Sequence, residues 1–409
     1  MQNLWERTKR VMWALACGLL LAGVAVAQET GAPTPPCASN PAAGSIPPMN
    51  LAILPDCWPP PCQGCDDRIR IHSNCPDPDD YYLVPPRPSL YVSLEGAALR
   101  RNPTHSFDFA SLGVLPTGTV NPTNVVLSTS DFNYDLAAAG RVVVGHTFNE
   151  CFQIEGVYLG VSQADNMAAV RDNTPNAPGG NGNLFSPFGG FGSTPILGLD
   201  YNNFAQVRYT SSLQGAEVNI RRQLPMPPGK LTSSILFGVR YVNLPEDFQY
   251  DTHSDITRSG AVVNNGALNS IHVATGNEMV GPQIGALFEF YGTNHWWVNF
   301  EIKGAVMNNQ AHQFTDYTNV DNGTTTVSSG SRREDHTAFA EELALVLVYR
   351  WTPRLATRIG YQALWLQDTA LAPDNLNTNI DILTQGPAQL NYRSSTVYHG
   401  PFAGLEFGW

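Results

Sequence analysis

Cysteine is the residue type in this sequence with the clearest capacity for chemistry. Cys62 and Cys65 form a Cys-x-x-Cys pair near His72, which could be drawn as a zinc site or a redox pair. A redox Cys-x-x-Cys pair normally lies in a strand–helix–strand (βαβ) unit, and the sequence around Cys62 and Cys65 shows no such pattern. In an oxidising compartment, disulfides are the favoured interpretation. Six cysteines are disulfide candidates: Cys37, Cys57, Cys62, Cys65, Cys75 and Cys151.

The spacing of these cysteines predicts one long-range link. Five of them lie between residues 37 and 75, so complete oxidation leaves at least one without a local partner. Cys151 falls in a short connection between two predicted strands. The barrel topology predicted below places this connection on the same side of the outer membrane as residues 37–75. We therefore expect a disulfide between Cys151 and the 37–75 region, and a free thiol at Cys151 is the alternative.

A histidine close to two serines is the other candidate for chemistry. His399 lies near Ser394 and Ser395, and outer-membrane phospholipases carry a His and a Ser on the outside of a barrel. A lone His beside serines is more often incidental. The chain has no GxSxG, HExxH, P-loop or Rossmann pattern. We expect no catalytic residue, no cofactor and no metal.

The elements that would position these residues are strands. Ten segments alternate between apolar and small or polar residues, the period-two pattern of a strand with two different faces. They cover about 89–101, 138–148, 152–164, 204–223, 231–251, 270–291, 295–312, 336–351, 354–368 and 395–409. This pattern predicts an all-β protein, a closed antiparallel transmembrane β-barrel of about ten strands.

Short and long connections alternate between these segments. The short ones are 149–151, 224–230, 292–294 and 352–353, and the long ones are 102–137, 165–203, 252–269, 313–335 and 369–394. Outer-membrane barrels have short periplasmic turns and long outer loops, so we expect the long set to face outward. Near Gly215 the apolar residues change face, which predicts a β-bulge or an unrecognised turn.

One face of the predicted strands carries both acids and bases. Mixed charges inside a narrow barrel would pair and fill it, whereas acids alone would leave a cation-preferring channel. The charged residues that we expect to face the lumen are Glu95, Glu155, Arg221, Arg240, Glu289, Glu301, Lys303, Arg358 and Glu406.

Both ends of the sequence predict export to an outer membrane. Residues 1–27 combine a basic start, an apolar run and a small-residue site, which predicts a signal peptide cleaved after Ala27. Residues 28–88 read as a Pro/Cys-rich periplasmic linker or plug, and residues 89–409 as the barrel. Leu405, Phe407 and Trp409 share one strand face and resemble the terminal signal that barrel assembly machinery recognises. A buried edge strand of a soluble sandwich is the alternative for this last segment.

The amino-acid composition limits which classes of molecule can be partners of this chain. The chain carries 23 Lys and Arg against 35 Asp and Glu, a net charge of −12. This acidic balance argues against nucleic acid as a partner. We expect outer-membrane lipid and the assembly machinery as partners, and a monomer.

Four blocks resemble a known family. They read RVVVGHTFNECFQIEGVYLGVSQ, VRYTSSLQGAEVNIRRQL, LFGVRYVNLPEDFQYDT and MVGPQIGALFEF. They are similar to recurring blocks of the planctomycete-type outer-membrane β-barrel porins, the beta-barrel porin family seven. The resemblance spans most of 89–409 and implies a porin-like barrel without catalytic or ligand residues. It implies passive transport of small solutes; a closed barrel acting as a structural or surface anchor is the alternative, and a lipolytic enzyme is a third.

Overall fold

The computed structural model describes most of the chain from residue 88 onward. The described residues are 88–102, 106–113, 124–132, 136–148, 152–172, 182–196, 198–225, 230–258, 261–321, 323–385 and 388–409. The predicted signal peptide, the Pro/Cys-rich segment up to residue 87 and all six candidate disulfide cysteines lie outside these ranges. The disulfides and the division of the chain before residue 88 therefore stay predictions.

The described residues form thirteen strands, one short α-helix and three single-turn 3-10 helices at Thr129–Asp131, Pro187–Gly189 and Pro373–Asn375. In chain order the strands and the α-helix are β1 (Leu90–Asn102), β2 (Asp108–Leu112), β3 (Val125–Ser128), β4 (Ala137–Thr147), β5 (Phe152–Arg171), β6 (Leu184–Phe185), β7 (Phe204–Gln223), β8 (Leu231–Arg258), β9 (Ala261–Tyr291), β10 (Trp296–Asp321), β11 (Thr324–Thr352), β12 (Leu355–Thr369), α1 (Ile380–Gln385) and β13 (Ser394–Gly408). Among the described residues, no helix has both the length and the apolar character needed to cross a membrane.

Ten of these strands close into an antiparallel barrel. Their order is β1, β13, β12, β11, β10, β9, β8, β7, β5 and β4, and β4 pairs back onto β1. At the closure, Leu94 lies opposite Leu405 on one side and Val142 on the other. Closure leaves no open sheet edge within the wall, as lipid requires. The predicted all-β closed barrel is confirmed.

Apolar side chains cover the outside of the barrel. The period-two alternation turns Val142, Val144, Val218 and Ile220 outward. Several aromatic residues lie near the short turns and are also exposed, namely Phe152, Trp296, Tyr349, Trp351, Phe407 and Trp409. An apolar band with an aromatic girdle is the surface that a membrane barrel presents to lipid. We call this end of the barrel the turn end and the opposite end the loop end.

Two of the predicted long loops were wrong. Segments 252–269 and 313–335 largely continue the strands, as the β8–β9 and β10–β11 hairpins, whose last paired residues are Arg258 with Ala261 and Asp321 with Thr324. The backbone ladder continues beyond the apolar band because hydrogen bonding does not require an apolar face. The loss of apolar alternation marked the edge of the lipid-facing band and not the end of the strands.

The predicted β-bulge or turn at Gly215 was also wrong. Strand β7 runs without a register shift against β8, and its odd-numbered residues face inward throughout. The inward side chains change from apolar and aromatic, at Val207 and Tyr209, to charged, at Glu217 and Arg221. A register shift does occur in this region, but on the β5 side between Val161 and Ala164.

The described parts of three long connections fold at the loop end. Strands β2, β3 and β6 form a small sheet that joins the β1–β4 and β5–β7 connections. Phe109, Leu127 and Leu184 from this sheet pack on Val207 and Tyr250 of the barrel strands. The third connection, residues 370–393, enters the barrel mouth and is described below.

Candidate functional site: the barrel interior

The nine charged residues predicted to face the lumen have their side chains inside the barrel in this structure. Seven are buried, and the side chains of Arg358 and Glu406 are 17% and 18% exposed. Most of them are joined in ion pairs: Arg221 lies 2.5 Å from Glu155 and 3.5 Å from Glu301, and Arg358 lies 2.8 Å from both Glu95 and Glu406. Inward charges from separate strands therefore meet across the interior.

A layer of paired charges crosses the middle of the barrel. We call it the charged layer: Glu95, Arg141, Glu217, Arg240, Lys303 and Glu342. Arg240 contacts Glu217 on the adjacent strand and Glu342 three strands away in barrel order. The Lys303 ammonium lies 3.3 Å from Glu217 and 3.2 Å from Glu342. Buried charges persist when they are paired in this way.

Three members of the charged layer were missed from the sequence: Arg141, Glu217 and Glu342. The signal was present, because Glu217 lies four residues from Arg221 on the same strand and so shares its face. Glu217 was nevertheless omitted, although the face that it shares with Arg221 was predicted to point inward. Glu342 was missed because its strand looked apolar on both sides, and Arg141 because its inward neighbours carry no charge.

A polar cavity lies between the charged layer and the turn end. Its volume is about 100 Å³, and we call it the vestibule. Its walls include Glu155, Arg221, Glu289, Trp297, Asn299 and Arg350. A barrel of about eight strands fills with its own side chains, whereas open channels appear nearer sixteen. In the part of the chain that the structure describes, the ten strands enclose this cavity below the layers of inward side chains.

An apolar layer lies above the charged layer, toward the loop end. Leu99, Leu213, Leu244, Met279 and Leu366 project inward from separate strands and are almost completely buried. Leu371, from the connection after β12, packs in the same cluster. This layer presents no polar groups to a solute, so it separates the vestibule from the loop end.

Residues 370–385 and 388–393 fill the mouth above the apolar layer, and we call this segment the loop plug. Asn277 on β9 accepts a 2.8 Å hydrogen bond from the Ala370 N–H and donates one of 2.8 Å to the Ala370 carbonyl. Glu246 on β8 accepts a 2.9 Å hydrogen bond from the Ala372 N–H. Leu376 and Leu383 of the plug pack with the small sheet. Side chains of the wall, not strand pairing, hold the plug.

The histidine and serines considered as a lipolytic pair do not come together. His399 faces outward, 2.5 Å from the Tyr361 hydroxyl, while Ser394 faces inward and donates to Asp374. Ser395 shares the outward face of His399 but lies four residues along the strand, roughly 13 Å away. Within the described ranges, no group of three or more His, Cys, Asp or Glu side chains is arranged to hold a metal ion.

A closed barrel with an apolar outer band, an aromatic girdle and a charged interior defines an outer-membrane β-barrel. The chain belongs to the family described as "Putative beta barrel porin-7 (BBP7)", whose family model matches residues 113–397. The protein is therefore a porin-like barrel of the outer membrane, as predicted. No curated protein matches the chain.

Solved outer-membrane proteins resemble the structure at low sequence identity. The outer membrane protease OmpT from Escherichia coli is 9% identical, with 78% of this chain and 96% of that chain covered and a TM-score of 0.39. Neisserial surface protein A is 6% identical, with 78% and 97% covered and a TM-score of 0.26. CarO from Acinetobacter baumannii is 12% identical, with 79% and 98% covered and a TM-score of 0.23.

Proposed function

We propose that the protein is a gated porin-like barrel, which passes small solutes passively when the loop plug leaves the barrel mouth. The observation that carries this proposal is the plug itself. It supplies Leu371 to the apolar layer and caps the interior, yet it belongs to a connection and not to the wall. The conformation described here is then the closed one.

The contacts that hold the plug suit a gate. Asn277 and Glu246 make three hydrogen bonds to its backbone, and each such bond contributes about 0.5–1.5 kcal/mol net. Removing a barrel strand would break a full ladder, whereas moving the plug leaves all ten strands paired. Opening also exposes Leu371, Leu376 and Leu383, but it breaks no strand ladder and therefore costs less than unfolding of the barrel.

A second function is favoured by the charged layer. Arg240 and Lys303 form salt bridges with glutamates on separate strands of the wall. None of these salt bridges involves a residue of the plug. Such a layer stiffens the barrel and blocks it, which suits a closed structural or surface anchor. The proposal of a gate requires these pairs to rearrange locally, with inward side chains moving toward the wall.

Permeability of proteoliposomes distinguishes these functions. Purified full-length protein and a variant with residues 373–391 replaced by a short Gly-Ser linker would be reconstituted and tested for swelling in uncharged sugars of graded size. A gated porin predicts swelling with the smallest sugars that increases in the variant. An anchor predicts none in either protein. Heat-modifiable migration on gels checks that both barrels are folded.

The remaining parts of this proposal concern maturation and partners. The chain is cleaved after Ala27, inserted in the outer membrane by the assembly machinery through Leu405, Phe407 and Trp409, and remains a monomer. The exposed face of Phe407 and Trp409 supports this, because it is available to a partner before lipid covers it. The proposal assigns the turn end to the periplasm and includes no enzymatic activity, cofactor or nucleic acid.

A further inference from the structure

We propose that the vestibule binds a small monocarboxylate anion, with Arg350 and the indole N–H of Trp297 as the donors. The site goes beyond the transport proposal, because an anion can bind here from the turn end whether or not solutes cross the apolar layer. The argument depends on one cation that forms no salt bridge within the described residues and on two buried polar atoms that make no hydrogen bond there.

Arg350 differs from the other cations of the vestibule. Arg221, Arg358 and Lys303 are each paired with a glutamate, at distances between 2.5 and 3.3 Å. Across the described part of the chain, no carboxylate forms a salt bridge with the Arg350 guanidinium, which instead lies 5.1 Å from the centre of the Trp297 ring. Glu289 and Glu406 line the same cavity without forming a salt bridge to the Arg350 guanidinium. A guanidinium offers five donors in a rigid fork, so Arg350 can still bind a pair of acceptor atoms.

Two further polar atoms in the vestibule wall have no partner. Trp297 and Asn299 are each 6% exposed, and the indole Nε1 of one and the amide Oδ1 of the other make no hydrogen bond within the described residues. The two residues alternate on β10 and so face the same cavity. An unsatisfied buried polar group costs about 1–3 kcal/mol. Both atoms are covered by neighbouring side chains, so a ligand that satisfies them and recovers this free energy must displace those side chains slightly.

These groups together define the chemistry of the ligand. A carboxylate accepts two parallel hydrogen bonds from a guanidinium and still has a lone pair for an indole N–H. Tyr291 lies 5.7 Å from Trp297, and the two rings form an apolar wall for a short alkyl group. The cavity of about 100 Å³ limits the ligand to a few heavy atoms. Asn299 Oδ1 can accept a hydrogen bond from a hydroxyl, which favours a 2-hydroxy acid over its plain counterpart.

The test uses the full-length barrel in detergent, with indole groups labelled with ¹⁵N. The Trp297 resonance is assigned as the one absent in Trp297→Phe. Titration with propionate should move that resonance with saturation, and lactate should bind more tightly than propionate. Chloride at the same concentrations should leave it in place. A resonance that does not move with propionate, or that moves equally with chloride, would overturn the proposal.

Matched arginine variants locate the binding. Arg350→Gln should weaken propionate binding about tenfold or more, because it removes a charge-assisted pair of hydrogen bonds. Arg354→Gln is the control, since Arg354 is exposed at the same end of the barrel and outside the vestibule. If Arg350→Gln fails to fold, Arg350→Lys keeps the charge without the fork and should still weaken binding. Wild-type affinity in a folded Arg350 variant would contradict the site.

Discussion

Arg101 on β1 and Glu246 on β8 form a 2.7 Å ion pair across the loop end of the barrel. The second carboxylate oxygen of Glu246 accepts the 2.9 Å hydrogen bond from Ala372 in the loop plug. The buried Glu246 carboxylate therefore connects β8 to β1 on another part of the barrel wall and also holds the loop plug. This arrangement couples the position of the plug to the shape of the barrel mouth.

Asn277→Ala should loosen the plug while leaving the barrel folded. The substitution removes both hydrogen bonds to Ala370, which together contribute about 1–3 kcal/mol. Limited proteolysis of reconstituted protein should then cut between residues 370 and 393 faster than in the wild type. Asn308→Ala is the control, because Asn308 is exposed on the outer face of β10. Equal cleavage rates in the two variants would show that Asn277 does not hold the plug.

Arg240→Ala should destabilise the barrel much more than the same change at an exposed arginine. It leaves Glu217 and Glu342 buried with one cation fewer, and breaking such a pair costs about 3–5 kcal/mol. Arg332→Ala, which breaks an exposed pair with Glu334, should cost less than about 1 kcal/mol. Urea unfolding in lipid bilayers measures both. Similar midpoints for the two variants would mean that the charged layer adds no stability.

The barrel wall could be predicted from the sequence because each membrane-spanning strand must turn an apolar side chain to lipid at every second residue. Alternating residues such as Val142 and Val144 face lipid, and their period fixes both the strand and its inward face. The nine inward charges follow from the same period. Beyond the apolar band the outward residues are no longer required to be apolar. The extensions of β8 through β11 therefore lack the alternating pattern and were interpreted as polar loops.

The contacts between distant segments could not be predicted in this way. The plug is held by Asn277 and Glu246, which lie more than 90 residues before it in the chain. No local period marks an amide that bonds a remote backbone. The same holds for Arg350 over Trp297, because a cation that forms no salt bridge is recognised only once every neighbouring charge has been placed.

The connection between β5 and β7 should become less stable as pH rises. Burial raises the pKa of the Asp200 carboxyl, despite hydrogen bonds accepted from Ser186 and Ile196. The folded segment then binds the proton more tightly than the unfolded one. Its stability is highest below the ordinary pKa of about 3.8 and falls as pH rises through the raised value. Hydrogen-exchange protection factors of the Ile196 amide should follow this fall, and Asp200→Asn should remove it. Protection that increases with pH would contradict this account.

The β10–β11 hairpin should be accessible from outside the cell. An epitope tag inserted at Gly323, where the backbone turns with φ of 76°, should bind antibody on intact cells. A tag at Thr352, in the short turn before β12, should bind only after the outer membrane is permeabilised. The reverse result would mean that the barrel is inserted in the opposite direction.

The central claim is that the loop plug gates the barrel, and single-channel recording in planar bilayers tests it most directly. Glu246→Ala combined with Asn277→Ala removes all three hydrogen bonds to Ala370 and Ala372. The control variant lacks residues 320–325 at the tip of the β10–β11 hairpin, outside the barrel interior. We expect rare, small current steps from the wild type and the control, and frequent steps from the double variant. Silent membranes for all three folded proteins would contradict the gate and support a closed anchor.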